Sequence, residues 1–119
     1  MNIESFRNYC NEKKAVSESF PFDEKTLVFK VLDKMFALTD LEDDFRIALK
    51  CEPEKAIELR EKYEAVIPAR HFNKKHWNNI VIDGTISDKL IQEWISDSYQ
   101  LVIKKMTKKD QKKIDEINN

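Results

Sequence analysis

The sequence predicts a two-layer α+β sandwich, in which one antiparallel sheet carries its helices mainly on one face. Stretches with helical spacing of apolar residues alternate with short runs rich in β-branched and aromatic residues. Their order is one helix, three or four strands, a second helix, two strands and two further helices. The length of 119 residues fits a single domain, residues 1–119, with no internal repeat or linker.

The composition excludes several classes of protein. Hydrophobic residues make up 41% of the chain and charged residues 36%, as in a soluble globular domain. A single glycine is too few for the loops that cradle phosphates in dinucleotide-binding and P-loop enzymes. The net charge of −1 gives no overall attraction for nucleic acid or an anionic membrane. No stretch is typical of a signal peptide or a membrane span, so we expect a cytoplasmic protein without membrane contact.

The first third of the chain is predicted to form a helix and then a meander of strands. The helix covers residues 3–14, begins after the capping residue Asn2, and has Phe6 and Cys10 on its apolar side. The runs of β-type residues predict strands over 16–22, 26–32, 35–40 and 45–51. The meander therefore supplies most of the predicted sheet.

The connections and the last strand of this meander are the most specific parts of the prediction. A two-residue hairpin turn is expected at Asp33 and Lys34. Apolar residues alternate with other residues along the last strand, so one set is expected to face inward: Phe45, Ile47, Leu49 and Cys51. The thiol of Cys51 is accordingly predicted to be buried and structural.

The second half of the chain is predicted to contain three helices and two strands. One helix begins at Pro53, a short strand runs up to Pro68, and a second strand covers 77–83. The longest helix covers 88–105, with a broad apolar face formed by Leu90, Ile91, Trp94, Ile95, Leu101 and Val102. Few apolar residues follow, so residues 107–119 are expected to form a weakly docked C-terminal helix.

The residues that carry catalytic chemistry in other proteins form no recognisable set in this chain. Cys51 beside a histidine would suggest a nucleophile, but Cys51 belongs to the inward-facing residues of its strand, which favours a structural role. His71 and His76 are five residues apart, which is not the spacing of a helical zinc site. The acidic turn at 40–44 lacks the glycine and distal glutamate of a calcium loop. We therefore predict no catalytic residue, no metal site and no cofactor, and expect that the protein is not an enzyme.

Residues 70–79 interleave cations, amides, histidines and aromatic rings, and form the most unusual segment of the chain. Cations can contact phosphates, and amides can contact base edges. The residues predicted to bind nucleic acid are Arg70, His71, Asn73, Lys74, Lys75, His76 and Asn78. The alternative is that Phe72 and Trp77 pack in the core, the asparagines satisfy turn backbone, and the lysines only keep the loop solvated.

Five segments resemble the MmcQ/YjbR family of small bacterial proteins, in order and in spacing. The most specific is HFNKKHWN at 71–78, and the others lie at 27–31, 34–38, 49–54 and 97–102. The resemblance covers the chain from the first helix to about residue 106. It implies a two-layer α/β sandwich related to CyaY-like and secretion-chaperone-like folds, and a protein labelled as predicted to bind DNA. Where many members have glycine after the proline, this chain has Ala69, so a positive φ is not expected there.

Three hypotheses for function follow. The first is DNA binding through the basic loop, with a looser second basic segment formed by Lys104, Lys105, Lys108, Lys109, Lys112 and Lys113. The second is a protein-interaction or chaperone-like module that binds a partner on the uncovered sheet face. The third is a small-ligand site around His71, His76 and Asn73.

Overall fold

In a computed structural model, which describes residues 1–69 and 72–117, the chain folds as one antiparallel sheet with helices packed against it. The helices are α1 (Ile3–Asn11), α2 (Pro53–Lys62), α3 (Asp88–Lys104) and α4 (Lys108–Glu116). The strands are β1 (Val16–Ser19), β2 (Thr26–Val31), β3 (Lys34–Asp40), β4 (Arg46–Lys50), β5 (Val66–Pro68) and β6 (Trp77–Val81). The strand order β1-β2-β3-β4-β6-β5 confirms the predicted α+β class.

The main core lies between the sheet and the helices. Phe6 of α1 meets Phe29 of β2 edge to face at 5.2 Å between ring centroids. Phe36 of β3 meets Tyr99 of α3 in the same way at 5.4 Å. Such pairs contribute about 0.5–1.5 kcal/mol beyond the apolar area that they bury. The aromatic side chains of the meander therefore fix where α1 and α3 sit on the sheet.

Helix α1 begins as predicted and ends earlier. The side chains of Asn2 and Ser5 form a reciprocal capping box. The helix stops at Asn11, and Ala15 then takes a left-handed conformation with φ 63°. This residue reverses the chain so that β1 can pair with β2, which a continuous helix through residue 14 would prevent.

The β2–β3 hairpin is displaced by one residue from its predicted position. Val31 pairs with Lys34, so the two turn residues are Leu32 and Asp33, and Lys34 already belongs to β3. Leu32 has φ 54°, a conformation that turn statistics assign to asparagine, aspartate or glycine. The predicted turn at Asp33 and Lys34 was therefore wrong by one position, because the pairing of the two strands overrides the local preference.

The alternation along β4 is confirmed. Ile47 and Leu49 belong to the main core, and Phe45 and Cys51 pack partly against it. On the opposite face, Ala48 is also buried, in a second and smaller cluster with Val28, Leu38, Ala69 and Trp77. This cluster contains no helical residue, and we call the side of the sheet on which it lies the helix-free face. Ala69 is fully buried there without a positive φ.

Helix α3 lies across the middle of the sheet and α4 follows it. The side chain of Ser87 caps α3, and that of Thr107 caps α4 by accepting a hydrogen bond from the backbone of Asp110. Ile114 is the one described residue of α4 that is buried in the main core. The weak docking expected for residues 107–119 stays a prediction about this helix.

Candidate nucleic-acid interface

Asn73 organises the loop that precedes β6. Its side-chain oxygen accepts a hydrogen bond from the backbone N–H of Lys75 at 2.9 Å. Its backbone carbonyl accepts hydrogen bonds from the backbone of His76 and Trp77 at 3.0 and 2.9 Å. Asparagine is suited to such a turn, because its short amide can satisfy backbone groups that have no strand partner. The turn leaves the side chains of Lys74 and Lys75 exposed to solvent.

The aromatic residues of the loop pack against the helix-free face of the sheet. Trp77 is 8% exposed, and its ring lies 5.7 Å from that of Phe72. Phe72 in turn lies 6.3 Å from Phe22, which belongs to the loop between β1 and β2. These rings anchor the loop to the helix-free face. The structural interpretation is therefore supported for Trp77, which is buried, and Phe72 packs partly against the same cluster.

His76 is half-buried and joins the loop to the end of β4. Its carbonyl accepts a hydrogen bond from the backbone N–H of Cys51 at 2.7 Å. Its Nδ1 is buried and has no hydrogen-bond partner among the described residues. The backbone contact fixes the basic loop beside the last residue of β4, Lys50.

Asn78 lies apart from the other predicted binding residues. It pairs with Leu49 across β4 and β6, so its side chain lies on the helix face of the sheet. There it is 2% exposed, and its Nδ2 donates a hydrogen bond to the carbonyl of Ala56 in α2 at 3.1 Å. A buried side chain offers no surface to a nucleic acid, so Asn78 is left out of the site considered below.

Of the seven residues predicted to bind nucleic acid, two lie outside the described residues. These are Arg70 and His71. The structure brings Asn73, Lys74 and Lys75 together on one exposed turn and places His76 at its base. The predicted site is thus a short lysine-bearing turn held by an asparagine.

Strand pairing gathers further lysines at the same end of the sheet. The β2–β3 hairpin, the last residue of β4 and the first residue of β6 are neighbours, because each adjacent pair of strands is antiparallel. This end, which we call the lysine end, carries Lys34, Lys50, Lys74 and Lys75. None of the four forms an ion pair with another described residue. The sequence analysis missed Lys34 and Lys50, and only the strand register could have revealed them.

The described part of the lysine end carries more lysines than acids, since Asp33 and Glu52 are the acids next to Lys34 and Lys50 in the chain. Partial burial lowers the pKa of Lys50, and the positive charges of Lys105 and Lys34 lower it further. Glu52 acts in the opposite direction, but it is the weakest of these influences on the pKa. An anion bound beside Lys50 would relieve this repulsion between cations. The electrostatics of the lysine end therefore favour a negatively charged ligand.

The opposite end of the sheet is acidic. The β3–β4 turn carries Asp40, Glu42, Asp43 and Asp44, and Asp83 follows the end of β6 at the same side. Two of these acids form ion pairs, Asp40 with Lys25 at 3.6 Å and Asp44 with Arg46 at 3.0 Å. Arg46 lowers the pKa of Asp44, mainly through the hydrogen bond that its side chain donates to the carboxylate. The chain thus separates its charges along the strands, although its net charge is only −1.

The two thiols have the environment of structural cysteines. Burial raises the pKa of Cys10 to about 12. Burial also raises the pKa of Cys51, which is half-buried at the end of β4. A catalytic thiol requires a lowered pKa, so the environment of Cys51 argues against an activated nucleophile.

Neither a set of metal ligands nor a membrane-spanning helix occurs among the described residues. Within residues 1–69 and 72–117, no three His, Cys, Asp or Glu side chains are placed to hold a metal ion. No described helix is long and apolar enough to cross a membrane.

Solved structures of similar proteins define the structural class of this chain. The fold matches the crystal structure of the Deinococcus radiodurans protein DR2400, a DUF419 domain, with a TM-score of 0.89 and 42% identity. That match covers 95% of this chain and 87% of the other. A crystal structure of a Pseudomonas syringae protein matches with a TM-score of 0.74 and 30% identity, over 85% of this chain and 98% of that one. The protein is thus a small α+β domain of this structural class.

The chain belongs to the YjbR family, whose family model matches residues 11–101. The uncharacterized protein YjbR of Escherichia coli (strain K12) is 35% identical over 104 residues, which are 87% of this chain and 88% of that protein. The uncharacterized protein YbdF of Escherichia coli O157:H7 is 33% identical over 112 residues, which are 93% of this chain and 92% of that protein. The resemblance inferred from the segment at 71–78 is therefore confirmed.

Proposed function

We propose that this protein binds nucleic acid, with duplex DNA as its ligand, through the lysine end of the sheet. The observation that carries the proposal is that Lys34, Lys50, Lys74 and Lys75 lie at one end of the sheet and have no ion-pair partner among the described residues. Lysines that contact phosphates provide most of the affinity of a protein for DNA. The label of predicted DNA-binding protein, which the family resemblance implied, agrees with this ligand.

The separation of charge explains how a chain of net charge −1 can serve this role. A phosphate backbone is attracted by local positive potential, and the acidic end of the sheet faces away from it. The packed aromatic rings favour contact with the backbone over stacking on single-stranded bases. Binding through Lys74 and Lys75 is therefore expected to depend weakly on base sequence.

The test compares two double variants that remove the same charge. Lys74→Ala/Lys75→Ala should weaken binding to a DNA duplex at least about tenfold, since hydrogen bonds to charged groups contribute about 1.5–3 kcal/mol each. Lys112→Ala/Lys113→Ala removes the same charge from the second basic segment, on α4, and should bind the duplex as tightly as the wild type. Fluorescence anisotropy of a labelled duplex measures both, after circular dichroism has shown that each variant is folded. Equal affinity of the two variants would contradict the assignment to the loop.

A second candidate function, binding of a protein partner, is favoured by a groove on the helix-free face. The groove has a volume of about 500 Å³, and Phe22 on its wall is 58% exposed. Phe72 lines the groove as well, and four aspartates do so, Asp23, Asp40, Asp43 and Asp44. An apolar segment with basic residues would complement this lining. Phe22→Ser should abolish binding of such a partner, whereas Lys74→Ala/Lys75→Ala should leave that binding unchanged. This is the reverse of the result expected for DNA.

A further inference from the structure

A cavity of about 330 Å³ lies on the helix face of the sheet, bounded by α2 and α3. Its volume is at the lower end of the range for small-molecule sites, about 300–1,000 Å³. The lining is largely apolar and includes Leu49, Leu59, Val66, Ile80, Trp94 and Leu101. The proposed nucleic-acid function accounts for Lys50 at the rim of this cavity but not for the apolar walls, which offer nothing to a phosphate backbone.

Asn78, which also lines the cavity, carries an unused hydrogen-bond acceptor. Its Nδ2 donates to the carbonyl of Ala56, and its Oδ1 has no hydrogen-bond partner among the described residues. The orientation of the amide is determined, because the carbonyl of Ala56 can only accept a hydrogen bond. Turning the amide over would place two acceptors against each other.

An unpaired acceptor at this depth is costly. A buried polar atom without a partner destabilises a protein by about 1–3 kcal/mol. Asn78 is 2% exposed, so its side chain has little contact with bulk solvent. A ligand that brings an O–H or N–H donor to Oδ1 would remove this cost and would bury its own apolar surface in the same step.

The rim of the cavity does not select a strongly charged ligand. Three lysines line it, Lys50, Lys55 and Lys104, together with the two carboxylates of Glu52 and Asp97. The formal charge of these five groups is +1, and Lys55 is already paired with Glu58 at 3.6 Å. The buried acceptor of Asn78 and the apolar walls therefore dominate what can bind.

We propose that this cavity binds a neutral, mainly apolar small molecule that donates one hydrogen bond from a hydroxyl or N–H group to Oδ1 of Asn78. The body of the ligand lies against Trp94 and Leu101, and Cys51 lines the same cavity. Ligand binding therefore covers Cys51.

The test compares 2-naphthol with its methyl ether, 2-methoxynaphthalene, which keeps the ring system and the oxygen atom but has a methyl group in place of the O–H hydrogen. At neutral pH, 2-naphthol should produce saturable shifts in the NMR signals of the Asn78 amide and the Trp94 indole N–H. The methyl ether should bind about tenfold more weakly, because it cannot donate to Oδ1. Equal affinity of the two probes, or shifts that avoid Asn78 and Trp94, would overturn the proposal.

Two further measurements test the proposal independently. One is the protection of Cys51 from alkylation, and the other is probe binding by a variant whose cavity is filled. Saturating 2-naphthol should slow alkylation of Cys51 by iodoacetamide several-fold, while the fully buried Cys10 stays unreactive with or without the probe. Leu101→Trp should fill the cavity and abolish probe binding. Ile57→Trp is the matched control, because Ile57 is 52% exposed on α2 and does not line the cavity. Unchanged alkylation of Cys51 at saturation, or unchanged binding by a folded Leu101→Trp variant, would also overturn the proposal.

Discussion

Replacing Trp94 with alanine should destabilise the protein by about 3–5 kcal/mol, the range for truncating a buried large aromatic residue. Trp94 is 8% exposed, and its ring meets that of Tyr63 edge to face at 5.3 Å. Because domains of this size have unfolding free energies of about 5–15 kcal/mol, the loss is a large part of the total stability. Equilibrium unfolding in urea, followed by circular dichroism, measures the effect.

The control for Trp94→Ala is Ile57→Ala, which truncates an exposed apolar residue of α2. Its free energy of unfolding should stay within about 0.5 kcal/mol of the wild type. A change in stability no larger than that of the control would contradict the packing of Trp94 of α3 against the end of α2.

Replacing Ser98 with alanine should cost about 2–4 kcal/mol, although only one oxygen atom is removed. Ser98 is fully buried, its Oγ donates to the carbonyl of Phe36 at 2.6 Å, and it accepts from the N–H of Lys50 at 2.9 Å. Phe36 lies at the point where the β2–β3 register shifts, and it has no partner in β2. The hydroxyl of Ser98 thus satisfies backbone groups of two strands, and the variant leaves both unpaired.

Hydrogen exchange distinguishes this explanation from a general loss of packing. In Ser98→Ala the amide of Lys50 should exchange faster, while amides in the β1–β2 pair keep their relative order of protection. Gln100→Ala, at an exposed position of the same helix, should leave both the stability and the exchange of Lys50 unchanged. An unaltered exchange rate for Lys50 in a destabilised Ser98→Ala protein would show that the hydrogen bond is not the cause.

Local sequence pattern was sufficient for the elements and for much of the core. The alternation in β4 placed Ile47 and Leu49 on the helix side, and the helical period of α3 placed Trp94 in the core. Asn2 was recognised as a helix cap, because a cap requires only a side-chain acceptor at one position. These features depend on residues close together in the chain.

Features that depend on strand pairing could not be predicted in the same way. The alternation along β4 places Ala48 among the outward-facing residues. In the structure Ala48 is buried in a second cluster, which Phe72 and Trp77 help to form. Asn78 was chosen as a surface amide, and its burial follows from the approach of α2 to β6. The register of β4 with β6 also brings Lys50 to the basic loop, over a separation that no local motif records.

The central claim is that phosphates bind at the lysine end, and the dependence of DNA affinity on salt tests it most directly. Each phosphate contact changes the slope of log K against log salt by about −0.9 for duplex DNA. Contacts from Lys34, Lys50, Lys74 and Lys75 therefore predict a slope of about −3 to −4 between about 50 and 200 mM salt. Lys74→Ala/Lys75→Ala should reduce its magnitude by about 1.8. Absence of salt-sensitive binding by the wild-type protein at micromolar concentration would contradict the claim.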